Sequence, residues 1–351
     1  MAFISINNVT IRGVAACVPA NVEENIDLDV FNEGEAERVI AQTSIVRKRV
    51  VSKGTTAADL CERAFNVLIE NLKWERESID AIVYVTSASD YNVPPTACVL
   101  QDKLGLDEST LAIEIRHGCP GWVIGLSTLA NYVSNGSLKR GVLLCGDTPT
   151  LLNSPKDKET RPLFGDAGSA TAIEFDPNAE TIDFEFGTRG KDYKAICAEY
   201  GGYRNPTTKE ALDYIEFGPH RERRPIDIEM DGMGVFGFGL SVAPKSITAL
   251  ADYYGFSLDD IDCFLFHQAN HYMNEKIRKK LHITEDKVPY SMQNFGNTSC
   301  ASIPLTIVTE RRDRYARSAM NSLACAFGVG LAWGSVHFRT DKIICPELIE
   351  Y

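Results

Sequence analysis

Residues 111–125, with the sequence LAIEIRHGCPGWVIG, carry the clearest structural signal in the chain. They begin as an apolar run of strand length, which Arg116-His117-Gly118 interrupts. From Gly121 onward, apolar residues recur at three- and four-residue spacing, which predicts a helix. Pro120 suits its first position, which needs no backbone N–H. Cys119 is therefore predicted on a strand-to-helix turn, where unpaired N–H groups and the positive end of the helix dipole favour a thiolate.

The composition of the chain is that of an ordinary globular protein. Its 351 residues suffice for two domains or one duplicated domain, and its net charge of −12 argues against a nucleic-acid partner. The ten cysteines are spread singly, with no CxxC and no Cys/His cluster. We therefore expect no metal site and a reducing compartment, and a buried structural role is the alternative interpretation of Cys119.

The first residues, MAFISINNVTIRGV, lack the long apolar stretch of a signal peptide. No run elsewhere approaches the length of a membrane-spanning helix. We therefore expect a cytoplasmic protein that does not contact a membrane.

The second half of the chain repeats the pattern of the first. The run Ile261–Phe266, IDCFLF, echoes Ile79–Tyr84, IDAIVY, at an offset of 182 residues. The same offset carries Cys119 into the segment 297–302, NTSCAS, which again opens an apolar helix. This self-similarity predicts a duplicated α/β fold with a pseudo-twofold axis, in which equivalent turns meet at one central site.

The duplication predicts two halves, residues 1–176 and residues 177–351. Within the second half, residues 187–229 carry no long periodic pattern, and we expect a lid-like surface insertion there. Two polar residues of the second half are candidates to meet Cys119. His267 ends a buried strand, where α/β folds place ligands, and Asn297 lies between a glycine and a helix start. A structural histidine and a helix cap are the alternative interpretations.

Five motifs occur along the chain in a fixed order: Cys119-Pro120-Gly121-Trp122, Phe164-Gly165-Asp166-Ala167-Gly168, His267-Gln268-Ala269-Asn270, the run from Gly296 to Pro304, and the run from Ala326 to Gly334. With these motifs the sequence resembles the β-ketoacyl-[acyl-carrier-protein] synthase III group of the thiolase superfamily over nearly its whole length. The resemblance implies the thiolase fold, a duplicated αβαβα architecture of five layers. It also implies a homodimer that needs no metal or redox cofactor.

The resemblance implies a decarboxylative Claisen condensation. The Cys119 thiolate attacks an acyl thioester and holds the acyl group covalently. A malonyl thioester then binds, and His267 and Asn297 donate hydrogen bonds to its carbonyl, which stabilises the enolate left by loss of CO2. Backbone N–H groups of Cys119 and Val329 form the second oxyanion hole, and the product is a 3-oxoacyl thioester.

Residues that recognise the substrate depart from the family pattern. Better-known members stack a tryptophan and an arginine on the adenine of coenzyme A, and these positions hold Arg38 and Gln42. Lys158 holds the position of a second arginine. Tyr272 and Gly237 replace basic residues linked to carrier-protein docking. Acyl-coenzyme A, acyl carrier protein or both therefore remain open as partners.

Four further residues are expected at the substrate site. Phe164 and Asn270 belong to the family motifs, and Arg204 lies in a GGxRxP element that resembles members serving secondary metabolism and polysaccharide pathways. This element favours such a role over housekeeping fatty-acid initiation. Val93 holds the position of a large gating residue that the neighbouring subunit supplies. A smaller gate would admit a longer or branched acyl group.

Three other functions are weighed against this one. An acyltransferase would pass the acyl-cysteine group to a hydroxyl or amine, but His267 and Asn297 together serve decarboxylation. A hydroxymethylglutaryl synthase is disfavoured because residues 85–89, VTSAS, lack the glutamate of such enzymes. An inactive partner subunit of a hetero-oligomeric synthase would usually have lost the cysteine, and Cys119 is present.

Overall fold

Short β-rich apolar runs alternate along the chain with segments of helical periodicity, and the secondary structure follows this alternation. The structure is a computed structural model that describes residues 2–219 and 221–351. The described strands are β1 (Ala2–Ile6), β2 (Val9–Val18), β3 (Val22–Glu24), β4 (Arg47–Arg49), β5 (Ala81–Thr86), β6 (Leu111–Arg116), β7 (Arg140–Asp147), β8 (Ala167–Phe175), β9 (Ile182–Thr188), β10 (Ile196–Cys197), β11 (Ile215–Glu216), β12 (Glu222–Arg223), β13 (Glu229–Met230), β14 (Cys263–Phe266), β15 (Met320–Gly328), β16 (Ala332–Thr340) and β17 (Ile349–Glu350). The described α-helices are α1 (Glu35–Thr43), α2 (Ala57–Leu72), α3 (Thr96–Lys103), α4 (Gly121–Val133), α5 (Gly232–Tyr254), α6 (His271–Lys280), α7 (Met292–Phe295), α8 (Ser302–Thr306) and α9 (Arg312–Arg317).

Two sheets form the framework. Six strands pair in the order β17-β2-β8-β7-β5-β6, and five pair in the order β1-β9-β16-β15-β14. Strands β5 and β14 are buried at every position, as their uninterrupted apolar sequences predict. They begin at Ala81 and Cys263, so these equivalent strands are separated by the predicted offset of 182 residues.

Helices and sheets stack in five layers. Helix α4 contacts β5 and β7 on one side and β15 and β16 on the other, and α8 contacts β2, β8 and β14. These two helices therefore lie between the sheets. Helix α2 covers the outer face of the first sheet and α5 covers the outer face of the second. The predicted five-layered αβαβα architecture is confirmed.

Helix α2 begins with a capping box. Thr56 is the N-cap, and its backbone N–H donates to the Asp59 carboxylate at 2.9 Å in a capping box. Helix α5 is, among the described helices, the one long and apolar enough to cross a membrane. Its apolar face packs on β9, β15 and β16, so its apolar composition serves the core.

Each of the two terminal strands pairs with a strand from the other predicted half of the chain. Strand β1 pairs antiparallel with β9 in the second sheet, and β17 pairs parallel with β2 in the first. The Phe3 ring stacks on Tyr253 with ring centroids 4.0 Å apart, which fastens β1 to α5. The division into two halves stays a prediction, and each terminus completes the sheet of the other half.

The segment 187–229 has a defined attachment to the rest of the molecule. Its first residues complete β9, and later residues form two short two-stranded sheets. The Ile228 N–H donates to the Leu152 carbonyl at 2.8 Å, and the Lys156 ammonium pairs with Glu222 at 2.9 Å. The segment thereby forms a wall held against the loop that follows β7.

Candidate active site

One cavity of about 490 Å³ contains all three predicted catalytic side chains. Cys119 lies in the turn between β6 and α4, His267 directly follows β14, and Asn297 follows α7. Each of the three residues is at most 7% exposed. The structure therefore brings together residues from both halves of the chain, although their catalytic roles stay predictions.

The equivalent turns of the two halves pack against each other. A Cβ atom on Gly121, at the start of α4, would lie 2.6 Å from Val85 Cγ1 and 3.0 Å from Cys300 Cβ. The Cys300 thiol donates to the Val85 carbonyl at 3.5 Å. Only a glycine allows this close approach, and the turn that carries Cys119 consequently rests on the turn that carries Asn297.

The thiol of Cys119 is enclosed by backbone. Gly328 lies so close that a Cβ atom there would be 2.6 Å from the Cys119 Sγ. Backbone N–H groups of Val329 and Cys119 lie beside the sulfur and lower the thiol pKa, but burial is the larger effect and raises this pKa to about 11. The sequence pattern predicted a thiolate at this helix start, whereas desolvation keeps the free thiol protonated.

His267 is neutral at physiological pH. Its side chain is fully buried, and this desolvation lowers its pKa to about 3. The Nδ1 atom lies 2.8 Å from the Ser302 hydroxyl, and the ring meets Phe327 edge to face at 6.0 Å between centroids. These contacts fix the ring plane, and with Nδ1 engaged by Ser302, Nε2 is the nitrogen left for a substrate.

Asn297 is held at its backbone and its side chain. Its N–H donates to the Leu163 carbonyl at 2.8 Å, and its carbonyl accepts from the Gly165 N–H at 3.2 Å. The side-chain Oδ1 accepts from the Ser299 N–H at 2.9 Å. This contact directs the Nδ2 donor away from the turn. The motif from Phe164 to Gly168 therefore holds Asn297 in position.

Of the predicted substrate-binding residues, Phe164 and Asn270 line the cavity. The Asn270 Oδ1 also caps α6 by accepting from the Met273 N–H at 2.8 Å. Tyr272 follows on the exposed side of α6, where its ring stacks on Phe236 at 5.9 Å.

The other predicted binding residues lie outside the cavity lining. Arg38 and Gln42 are exposed on α1, and Lys158 pairs with Glu35 of the same helix at 3.0 Å. Arg204 is exposed in the wall segment, and Val93 is 76% exposed on the loop before α3. Their assignment to substrate binding stays a prediction.

Several residues of the site were not singled out from the sequence. Ser302 contacts His267, and Ser299 lines the cavity with a backbone φ of +51°, a value that few residues other than glycine adopt. The wall segment contributes Tyr193, Ile196 and Cys197 to the lining. Serines in a turn resemble helix caps, and an aperiodic segment gives no sign of where it folds. The sequence therefore carried little signal for them.

Two family models match parts of the chain. The family model described as "3-Oxoacyl-[acyl-carrier-protein (ACP)] synthase III" matches residues 113–190, and the model described as its C terminal matches residues 252–340. A crystal structure of 3-oxoacyl-(acyl-carrier protein) synthase from Burkholderia xenovorans LB400 is similar, with 33% sequence identity and a TM-score of 0.93. That comparison covers 100% of this chain and 99% of the other.

Two curated relatives are similar along their whole length. The β-ketoacyl-[acyl-carrier-protein] synthase III of Rhodopirellula baltica is 29% identical over 354 residues, which cover 95% of this chain and 99% of the relative. The protein of the same name from Caldanaerobacter subterraneus is 29% identical over 333 residues, which cover 95% and 98%.

Proposed function

The chain belongs to the 3-oxoacyl-[acyl-carrier-protein] synthase III family, whose members are acyltransferases with the thiolase fold, and we propose how its own residues catalyse the condensation. An acyl primer is held on Cys119 and joined to a malonyl thioester, which gives a 3-oxoacyl thioester and CO2. One observation carries this proposal. Cys119, His267 and Asn297 come from three separate turns and share one largely apolar cavity.

The first step is acylation of Cys119. The sulfur attacks the thioester carbonyl, and the carrier thiol leaves. The N–H groups of Cys119 and Val329 donate to the oxyanion that develops, which is supported by their position beside the sulfur. Because burial raises the pKa of the thiol to about 11, acylation needs a group that accepts the thiol proton.

The second step is decarboxylation of the malonyl thioester. The proposal places the ring proton of His267 on Nε2, which points it to the thioester carbonyl and leaves Nδ1 to accept from the Ser302 hydroxyl 2.8 Å away. Asn297 Nδ2 donates to the same oxygen. Two neutral donors in a buried site stabilise the enolate strongly, and the carbanion then attacks the acyl group on Cys119. The low pKa of His267 supports the neutral ring that this role needs.

Substrates enter as thioesters of coenzyme A or of acyl carrier protein, the partner with which the family acts. The mainly apolar lining of the cavity supports an extended acyl or pantetheine chain. Arg38, Gln42 and Lys158 lie on and beside α1 and are the proposed contacts for the carrier end of the thioester. No metal or redox cofactor enters the reaction, because thiol addition and enolate stabilisation need only the groups named.

We also propose a cytoplasmic homodimer that binds neither nucleic acid nor membrane. Strand β6 is an edge of the first sheet, its apolar Leu111 is exposed, and its apolar Ile113 and Ile115 are only partly buried, which supports pairing with a second copy. All ten cysteines are free, which supports a reducing compartment.

An acyltransferase that passes the acyl group to a hydroxyl or amine is the second candidate, and it needs Cys119 but not enolate stabilisation. The two candidates separate when the pre-acylated enzyme is mixed with malonyl-coenzyme A. Release of CO2 and formation of a 3-oxoacyl thioester are expected. Asn297→Ala should reduce both by about 10²-fold or more while acylation of Cys119 continues.

Asn294→Ala is the matched control, because Asn294 is an exposed residue three positions earlier in the same segment. It should leave CO2 release at the wild-type rate. Condensation that survives in Asn297→Ala would remove the enolate role, and acyl transfer to an amine without CO2 release would favour the second candidate.

A further inference from the structure

Asp147, the last residue of β7, is a buried carboxylate next to the reacting cysteine that the proposed mechanism does not use. It is 0% exposed. Its Oδ1 accepts hydrogen bonds from the Ser87 N–H and hydroxyl, both at 2.7 Å, and from the Thr86 hydroxyl at 3.0 Å. Its Oδ2 has no hydrogen-bond partner of good geometry among the described residues. Buried carboxylate oxygens are rarely left without a partner, so this one needs an explanation.

The turn that carries Ser299 packs against β7, and Ser299 borders the cavity together with Cys119. Its hydroxyl lowers the pKa of Asp147 and of Cys119, against the larger effect of burial, which raises both. A Cβ atom on Gly118, next to Cys119, would lie 3.5 Å from the Ser299 Oγ. The positive φ of Ser299 costs backbone energy, and strain of this kind persists mostly where a side chain must be aimed.

We propose that Asp147 accepts the proton of Cys119 through the Ser299 hydroxyl when the cysteine is acylated. The S–H proton passes to Ser299 Oγ, and the Ser299 proton passes to Asp147 Oδ2. The sulfur then forms its bond to the thioester carbon, and the bond from that carbon to the carrier sulfur breaks. The carrier thiolate takes the proton back by the same route, so Asp147 ends as a carboxylate and the carrier leaves as a thiol.

Electrostatics favour this route over direct ionisation. Burial raises the pKa of Asp147 and of Cys119, and the Asp147 charge raises the thiol pKa further. A thiolate beside a carboxylate would place two negative charges in one buried cluster, whereas transfer of the proton keeps a single charge. Raising the basicity of Asp147 also makes it a better acceptor at neutral pH.

Other titratable groups face Asp147 from the elements packed around it. They are Cys61 on α2, Tyr84 on β5 and Cys300 in the turn before α8, and the Asp147 charge raises the pKa of each. None of the three belongs to the cavity lining, whereas Cys119 and Ser299 both do. The proposed proton path from Cys119 to Asp147 therefore runs through Ser299.

The inference rests on the proposed acylation of Cys119, but its test does not need that reaction. Iodoacetamide alkylation of Cys119 is followed from pH 5.5 to 9.5, with the Cys119 peptide quantified by mass spectrometry. In the wild type, a proton shared between Asp147 and Cys119 leaves a constant thiolate fraction below the thiol pKa, so the rate should level off at low pH. Asp147→Asn and Ser299→Gly should lose this plateau and react at least about tenfold more slowly at pH 6.

Glycine is chosen at position 299 because it tolerates the positive φ, and it removes the hydroxymethyl side chain. Glu185→Gln is the matched control, since Glu185 is also a buried carboxylate with a serine partner, Ser246, but lies on β9 away from the cavity. It should keep the plateau.

Faster alkylation of Asp147→Asn at pH 6 would overturn the proposal, because it would mean that the carboxylate acts only by its charge. A plateau that persists in Ser299→Gly, or is missing in the wild type, would overturn it as well. If Asp147→Asn does not fold, Ser299→Gly decides. If the alkylation rate of the wild type shows the plateau but no thioester acylates Cys119, the proposed function is contradicted, whereas proton sharing between Asp147 and Cys119 is still supported.

Discussion

Gly328→Ala is the substitution that tests the geometry around the nucleophile most sharply. The new Cβ atom would lie 2.6 Å from the Cys119 Sγ and 2.7 Å from the Cys119 Cβ. Carbon contacts are optimal at about 3.5–4.0 Å, so the sulfur or the end of β15 must move by roughly 1 Å. Overpacking of this size costs about 1–3 kcal/mol of unfolding free energy. A displacement of about 1 Å in a reacting group costs on the order of 10²-fold in rate.

Two measurements are needed for this variant. Urea unfolding gives the change in stability, and intact-protein mass spectrometry at timed intervals gives the rate of Cys119 acylation. Gly190→Ala is the control, because a Cβ atom there meets nothing within 4 Å, and it should change the unfolding free energy by no more than about 0.5 kcal/mol. Acylation of Gly328→Ala at the wild-type rate would refute the close approach of β15 to the thiol.

Two further predictions concern His267 and the dimer. Burial holds the pKa of His267 at about 3 against an ordinary value of 6.5, so the unfolded chain binds one more proton between these values. The unfolding free energy should therefore fall as pH drops below 6.5, by up to about 1.4 kcal/mol per pH unit. In urea titrations at several pH values, His267→Gln should lose this contribution to the pH dependence. Equal pH dependence of the variant and the wild type would contradict the buried neutral ring. Static light scattering at micromolar concentration should give twice the chain mass, because β6 leaves an apolar sheet edge, and a monomer would contradict the dimer.

Local patterns were sufficient to predict much of the fold. The break at Arg116-His117-Gly118 and the apolar spacing after Gly121 locate the strand, turn and helix around Cys119 within a residue or two. The 182-residue offset predicts the equivalent strand beginning at Cys263. These features depend on neighbours in the chain, and periodicity reports such neighbours directly.

Features set by distant parts of the chain were not visible in the sequence. Strand β1 is an edge strand of the five-stranded sheet, and β17 is an edge strand of the six-stranded sheet. Each of these placements depends on where the folded chain brings the terminus. Lys48 lies between two other basic residues, Arg47 and Arg49, and nothing in this run shows that its side chain is buried and pairs with Glu23 at 2.6 Å. The wall segment has no period, and its position is set by contacts with the loop after β7.

The sequence predicted which residues meet in the candidate site, but not how the site shifts the pKa of the Cys119 thiol. The duplication and the family motifs predict that Cys119, His267 and Asn297 meet. A helix start alone suggests a low thiol pKa, but desolvation depends on the complete enclosure by Gly328 and Val329, which no local pattern reports. Asp147 and Ser299 escaped notice because each lies in a strand end or turn with an ordinary local role.

Acylation of Cys119 is the claim on which the rest of the account depends. The protein is incubated with acyl thioesters of several chain lengths, on coenzyme A and on acyl carrier protein, and its intact mass and Cys119 peptide are measured. The account predicts the addition of one acyl group, located on Cys119 and absent from Cys119→Ser. A protein that stays unmodified with every thioester, or that carries the acyl group on another cysteine, would contradict it.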